Sequence, residues 1–555
     1  MTGFAEVHRE TLERAIQAIA ARDYWSAYPE IPSGKIYGET AKADAEAAFK
    51  ARLGQPFALT GHPEEGRVGA ERSPYGFALG ITYPRAGAPT LVAAAQAAAP
   101  GWAAAGPEAR AGVCLEILHR LNRRAFEIAN AVMHTTGQAF VMAFQAGGPH
   151  AQDRGLEAVA YAVAAMRRIP SEVVWEKPQG KQPPLRVQNT FRFLPRGIGL
   201  VIACSTFPTW NSYSGLFADL VSGCPVIVKP HPGAILPLAL TVETARAALA
   251  EAGFDPNVVL LAADDAERPI AQDLARHPAI QLIDYTGGPG FGEWIKANAA
   301  GKQVFTEQAG VNSVVIDSTA EFAGLCRNLA FSLCLYSGQM CTAPQNIYVP
   351  KDGIATDQGH KSFDEVVQAL STAVQKLLGD PERAAAVLGA IQNDATLERA
   401  ASAGERGEVV LASQRVEIAG FPDARAASPA IVKATAGSGP QDEECFGPVS
   451  FVVPTADTAE SLRVATDLAR RKGAITALVH STDETVLEQA ATLFADAGVS
   501  LAVNLTGGLF VNQNAAFSDF HVSGANPAGT ATLVDEAFVT PRFRVVAVRR
   551  ELPAA

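Results

Sequence analysis

Between residues 109 and 137 the apolar side chains Leu115, Leu118, Leu121 and Ile128 recur near helical spacing, and Gly137 stands where such a helix would stop. Patterns of this kind predict helices up to about residue 170. From Pro170 to about Arg196 the text changes to alternating Val, Arg and Phe around a Pro/Gly/Lys turn, which predicts a two-stranded hairpin. Short apolar runs then alternate with helical stretches: GIGLVIACS, YSGLFADLV, PVIVK, LPLALTVETARAALAEAG, VVLLAA, ERPIAQDLARH and IQLIDYTG. Repeated strand-helix-strand units are best satisfied by a parallel sheet covered by helices on both faces. A second α/β unit is expected from near Val304, opening with the strands VFTEQ and SVVID. The chain closes on FVTPRFRVVAVRREL, a strand-type alternation whose edge needs a partner, and the Pro170 hairpin of a neighbouring subunit is the expected one.

Length and composition narrow this picture. At 555 residues the chain exceeds the size of a single core. Its 48% hydrophobic and 19% charged residues are ordinary for a globular protein and leave out disordered and fibrous classes. A net charge of -11 without any long basic run argues against nucleic acid or an anionic membrane as partner. The 7 cysteines are an odd number without a C-x-x-C pair, so neither a disulfide framework nor a metal site is expected, and a reducing, cytoplasmic setting fits. The Ala-rich run from Pro89 to Gly106 is interrupted by Gln96, Pro100 and Gly101 and reads as a soluble helix and turn. The N-terminal stretch is amphipathic and lacks the apolar core of a secretory signal.

Candidate chemistry gathers in five places. Lys229 ends the apolar strand PVIVK, where open α/β sheets bind ligands; a solvated strand end is the bland alternative. In YTGGPGFG, Thr286, Gly287, Gly288, Gly290 and Gly292 lead a strand into a helix, a turn that either admits a phosphate or merely packs strand on helix. Glu307 in VFTEQ is a carboxylate at a strand end. Cys341 in GQMCTAPQ is a nucleophile if something activates its thiol and an inert buried cysteine if not, as assumed for Cys114, Cys326 and Cys334. Glu444 and Phe446 in EECFGPV lie two apart on an extended segment and so face one way.

Taken in order, PVIVKP, YTGGPGFG, FTEQAG, GQMCTAPQ and EECFGPV resemble the aldehyde dehydrogenase superfamily from about residue 70 onward. The resemblance implies an α/β fold of two α/β domains, one Rossmann-like and one catalytic, with a small β oligomerisation element. Its implied divisions are 1–169 (helical extension and first part of the cofactor domain), 170–196 (hairpin), 197–303 (cofactor domain), 304–528 (catalytic domain) and 529–555 (C-terminal strand). It implies Cys341 as nucleophile and Glu307 as the base for the deacylating water. Lys229, His231, Thr286, Gly287, Gly288, Gly292, Glu444 and Phe446 are implied to hold the cofactor. The product implied is a free acid, the substrate a small-molecule aldehyde, and the assembly a homodimer or homotetramer.

Three segments depart from the family pattern. P-W-N-F-P appears as CSTFP, so Thr206, with Asn211 nearby, stands where an amide steadies the oxyanion. K-P-S-E appears as KPHP, with Pro232 in place of the carboxylate that grips a ribose, so the expected cofactor is NADP or NAD. P-F-G-G is replaced by AFSDFHVSG. Within the superfamily, RDYWSAYPEIPSGKIYGE, SPYGFALGITYP and HTTGQAFVMAFQAGGPHAQDRG resemble the phenylacetic acid degradation branch, PaaN, which implies a semialdehyde carried as a coenzyme A thioester. Two other readings stay open: a coenzyme A-acylating enzyme, and a binding or structural member without turnover.

Overall fold

The computed structural model describes residues 3–308, 310–435, 437 and 439–553. Helices dominate the first third but give way between Arg52 and Ala88 to the antiparallel pair Gly66–Val68 and Tyr83–Arg85, and the 109–137 stretch divides at Arg124 into Pro107–Arg123 and Ala125–Thr136. Gly137 ends the second at φ +88°, a left-handed position that suits glycine. The Ala-rich run is one helix, Ala88–Ala104, continuing through Pro100 and Gly101 rather than breaking into helix and turn. Its apolar face is buried on both sides of the proline, and Trp102 Nε1 donates to the Leu220 carbonyl at 2.9 Å, so tertiary packing overrides the local break. Among the described residues no helix is long and apolar enough to cross a membrane.

Two parallel sheets carry the rest. The first runs Val259–Leu261, Val226–Lys229, Ile198–Ile202, Ile280–Gly287, Gln303–Gln308, with every neighbouring pair parallel. The chain starts at the middle strand, builds outward, and returns to build on the other side. A crevice therefore opens at the carboxyl ends between Ile198–Ile202 and Ile280–Gly287. The strand expected to open the second unit, VFTEQ, belongs instead to this first sheet, registered on Ile280–Gly287 from Leu282↔Gln303 to Gly287↔Gln308. That register sets Glu307 beside Thr286 at the carboxyl end of the sheet. The second sheet has seven strands in the order Glu408–Leu411, Ala430–Lys433, Val449–Thr455, Asn346–Pro350, Ser313–Ile316, Thr476–His480, Ser500–Val503. Only Glu408–Leu411 runs antiparallel to its neighbour.

The C-terminal strand Phe543–Glu551 pairs antiparallel with Gln182–Pro195 of its own chain, not with a neighbouring subunit's hairpin as expected. The reason is an anchor at the strand's start. Fully buried Arg542 donates from Nη1 to Asp219 Oδ1 at 2.5 Å and from Nη2 to Asp284 Oδ1 at 2.6 Å, tying the C-terminal segment to the first sheet and to the helix Pro208–Ser222. Burial pushes the Asp219 carboxyl up to about 7 against the pull of Arg542. Two glycines leave room for the carboxylates: a Cβ on Gly199 would collide with Asp219 Oδ2, and one on Gly215 would stand 2.5 Å from the Asp284 carboxyl carbon. Removing one partner of a buried ion cluster leaves the others uncompensated. Arg542→Ala is therefore expected to lower the unfolding free energy by about 3–5 kcal/mol, measured by urea denaturation, with the loss reduced in Arg542→Ala combined with Asp219→Asn.

Candidate active site

Cys341 follows the helix Phe322–Cys334 through a turn in which Tyr336 and Ser337 both take φ +51°. Non-glycine residues hold such angles only when their surroundings enforce them. Here the Tyr336 hydroxyl donates to the Thr136 carbonyl and the Ser337 hydroxyl to that of Leu388 at 3.1 Å. Asn312 then donates from Nδ2 to the carbonyls of Cys341 at 2.8 Å and Ala343 at 2.9 Å, fixing the backbone on both sides of the thiol.

Around this thiol the tertiary structure gathers groups from three distant segments. Glu307 Oε2 accepts from Asn211 Nδ2 at 2.8 Å, and Glu307 Oε1 lies 2.8 Å from His521 Nε2. The same His521 nitrogen is 3.6 Å from Cys341 Sγ, and the ligating atoms of Glu307, Cys341 and His521 all lie within 4.8 Å of one another. His521 Nδ1 is held by Asn514 Oδ1 at 2.8 Å, and its ring packs edge-on against Trp210, with centroids 4.8 Å apart. His521 was not a sequence candidate. The signal was the histidine in AFSDFHVSG, where the family pattern has P-F-G-G, but nothing in the spacing says which way that ring points.

Burial pushes the Cys341 thiol well above its usual range, and the adjacent Glu307 carboxylate pushes it further. Burial works in the same upward direction on Glu307, yet His521, Cys341 and Asn211 together hold its carboxyl below the usual range. The site rests with a charged carboxylate and a protonated thiol.

Not every candidate reaches this cluster. The Thr206 hydroxyl lies toward Cys204 Sγ at 4.0 Å rather than toward Cys341, so the amide nearest the thiol's surroundings is Asn211. Lys229 is buried at its strand end, with Nζ 2.7 Å from Asp264 Oδ1 and donating to the Pro230 carbonyl at 2.7 Å. His231 is exposed and accepts from the Gly233 amide. Glu444 is half-buried and pushed up to about 7 by burial, against the nearby Arg399 guanidinium, which also donates to the Phe446 carbonyl. Cys114, Cys326 and Cys334 are buried, as assumed for inert thiols.

The aldehyde dehydrogenase family model matches residues 82–537, most of the chain. The chain belongs to the aldehyde dehydrogenase family. A solved structure, the NAD-dependent aldehyde dehydrogenase from Burkholderia multivorans, is 56% identical, covers 99% of each chain and superposes with a TM-score of 0.97. N-succinylglutamate 5-semialdehyde dehydrogenase of Burkholderia cenocepacia (strain HI2424) is 28% identical over 384 residues, 68% of this chain and 74% of the relative. The 1-pyrroline-5-carboxylate dehydrogenase from Thermus with bound NAD shares the fold, with a TM-score of 0.73 at 21% identity over 96% of this chain and 99% of that one. Membership makes the protein an enzyme of NAD(P)-dependent aldehyde oxidation.

The carboxyl end of the first sheet carries an open glycine turn. A Cβ on Gly288 or Gly290 would meet nothing within 4 Å, so the turn and the start of the helix Pro289–Asn298 stand open to a ligand. Gly287 and Gly292 are explained by packing instead: Cβ atoms there would stand 2.5 Å from the Tyr285 hydroxyl and from Gln308 Nε2. Thr286 is half-buried beside Glu307 in the register of the last two strands.

Because the neighbouring carboxylate opposes thiolate formation, Glu307→Gln should speed alkylation of Cys341 by iodoacetamide at neutral pH by about tenfold. Removing the group that offsets Glu307, in His521→Ala, should slow it. Mass spectrometry of the Cys341 peptide across a pH series reads both effects, and the wild-type rate should climb steeply above neutrality.

Proposed function

We propose that the enzyme oxidises an aldehyde to the free carboxylic acid with NADP or NAD, through a thioester on Cys341. The carrying observation is Glu307, a charged carboxylate set beside the thiol and steadied by Asn211 and His521. Lys229, the Gly288–Gly290 turn, Glu444 and Phe446 are the residues to hold the dinucleotide. When bound, its nicotinamide ring supplies the hydride acceptor for the oxidation.

The steps on the protein side follow from geometry and proton affinity. The Cys341 thiol loses its proton to solvent, and the thiolate adds to the aldehyde carbon, forming the carbon–sulfur bond while the carbonyl π pair moves onto oxygen. Asn211 has a second amide hydrogen beyond the one given to Glu307, and we assign it to the oxyanion that forms on the aldehyde oxygen. After oxidation leaves a thioester, Glu307 takes a proton from water as that water attacks the thioester carbon. The carbon–sulfur bond then breaks, the acid departs, and Cys341 regains its proton. A carboxylate base for water favours hydrolysis over transfer to coenzyme A.

The finer reading is a semialdehyde of phenylacetate catabolism carried as a coenzyme A thioester. Two of the segments that resemble the phenylacetic acid degradation branch contribute Trp25 and Met142 to the chamber over Cys341, which supports a branch-specific substrate. A homodimer or homotetramer belongs to the same reading, supported by Val173, Trp175, Val546 and Val548, left exposed on the three-stranded sheet.

Formation of reduced nicotinamide on mixing with an aldehyde tests the reaction. Cys341→Ala should abolish it, and unchanged turnover in that variant would sink the assignment. Glu307→Gln should give one burst and then stall. Asn211→Ala should lower kcat about 100-fold to 1000-fold, whereas Thr206→Ala should change it only slightly; the reverse order would return the oxyanion role to Thr206. Steady-state rates on phenylacetate-pathway semialdehydes with both cofactors test the finer reading.

A further inference from the structure

The chamber that opens onto Cys341, Asn211 and His521 encloses about 650 Å³, the size of a pocket for a drug-sized ligand rather than a small aldehyde. Much of its wall is apolar, with Trp25, Met142, Phe207, Trp210, Phe331 and Leu335 facing in. Glu30, Asp153 and Asp519 line it, and no lysine or arginine does among the described residues. His150 lies 2.7 Å from Glu30 and is taken up by that carboxylate. Arg154 lies behind the indole of Trp210, 5.3 Å from the ring centroid, and is fully buried against Glu157, while Arg22 stacks on Phe520, 3.8 Å from its centroid, and reaches Glu157 at 3.5 Å.

Part of this wall lies outside the span that the family shares. Tyr24, Trp25, Ser26 and Glu30 precede residue 82, where the family match begins. They are pinned to the helix Pro149–Arg167: Ser26 Oγ donates to Asp153 Oδ2 at 2.5 Å and the Ala27 amide to Asp153 Oδ1 at 3.0 Å. Trp25 packs edge-on against Phe517, with centroids 4.9 Å apart. The other acidic group, Asp519, accepts from the Ala515 amide at 2.9 Å and keeps a face open to solvent.

A carboxylate drawn into an apolar chamber must exchange its hydration for a cation or a set of donors, and carboxylates already on the wall add repulsion. Resting on the reading of Cys341 as nucleophile, we propose that this chamber takes aldehydes whose enclosed portion is uncharged, an ester or thioester carbonyl included, and rejects aldehydes that place a carboxylate inside it. The Tyr24–Glu30 segment is the wall that sets this specificity, with Glu30 and Asp519 as the repelling groups. N-succinylglutamate semialdehyde, the substrate class in one relative's name, carries carboxylates and falls on the rejected side.

A chain-matched set isolates the charge: hexanal, adipate semialdehyde and the methyl ester of adipate semialdehyde. The expected kcat/KM for the ester exceeds that for the acid by at least about tenfold. In Glu30→Gln combined with Asp519→Asn, the ester-to-acid ratio should fall toward unity. Equal kcat/KM for acid and ester in the wild type overturns the proposal, as does a ratio unmoved by the double substitution. Protection of Cys341 from iodoacetamide by the ester and by the acid, without cofactor, reads the chamber independently of turnover. Preferential protection by the ester without any oxidation would keep the specificity and remove the oxidation reading, while equal protection with turnover intact would do the opposite.

Discussion

Glu307 is a charged carboxylate at 6% exposure, and the structure around it is organised to make that tolerable. An ionised carboxylate removed from water needs hydrogen-bond donors at close range. Its partners come from the helix that follows the first central strand, through Asn211, and from the segment before the C-terminal strand, through His521. The Cys341 thiol completes the set from the turn after a helix of the second unit. Because Glu307 ends a strand of the first sheet, satisfying this one side chain locks the two α/β units against each other at the point where the chemistry occurs.

The same logic recurs one layer deeper. Arg542, fully buried, joins Asp219 on the helix Pro208–Ser222 to Asp284 on the strand Ile280–Gly287. Asn211 lies on that same helix, so the buried cluster fixes the element that aims its amide at Glu307. The C-terminal strand is tethered by the same cluster just before its first residue and pairs with its own hairpin. The chamber outside Cys341 is then closed by the Tyr24–Glu30 segment, held by Asp153.

Much of the architecture is legible in the order of the residues. Apolar runs bounded by turns locate the central strands, because burying a parallel strand on both faces demands a continuous apolar run. Gly137 marks a helix end because a left-handed terminus favours glycine. Less legible are features decided by partners far away in the chain. The helix through Pro100 continues because Trp102 and its neighbours pack on both sides of it. VFTEQ reads as a strand either way, and only hydrogen-bond register assigns it to the first sheet.

The site divides along the same line. The chemistry on offer is already present in the unfolded chain: a thiol, a carboxylate, a glycine turn and a strand-end lysine in an order that only a few folds use. Those are properties of residue type and local spacing, which the chain carries whether folded or not. Folding settles the rest: that His521 joins Glu307 and Cys341, that Thr206 faces Cys204 while Asn211 faces Glu307, and that the chamber wall carries carboxylates without a lysine or arginine among the described residues. Each of these depends on where a side chain points after segments hundreds of residues apart have packed, and direction is set by packing rather than by position in the chain.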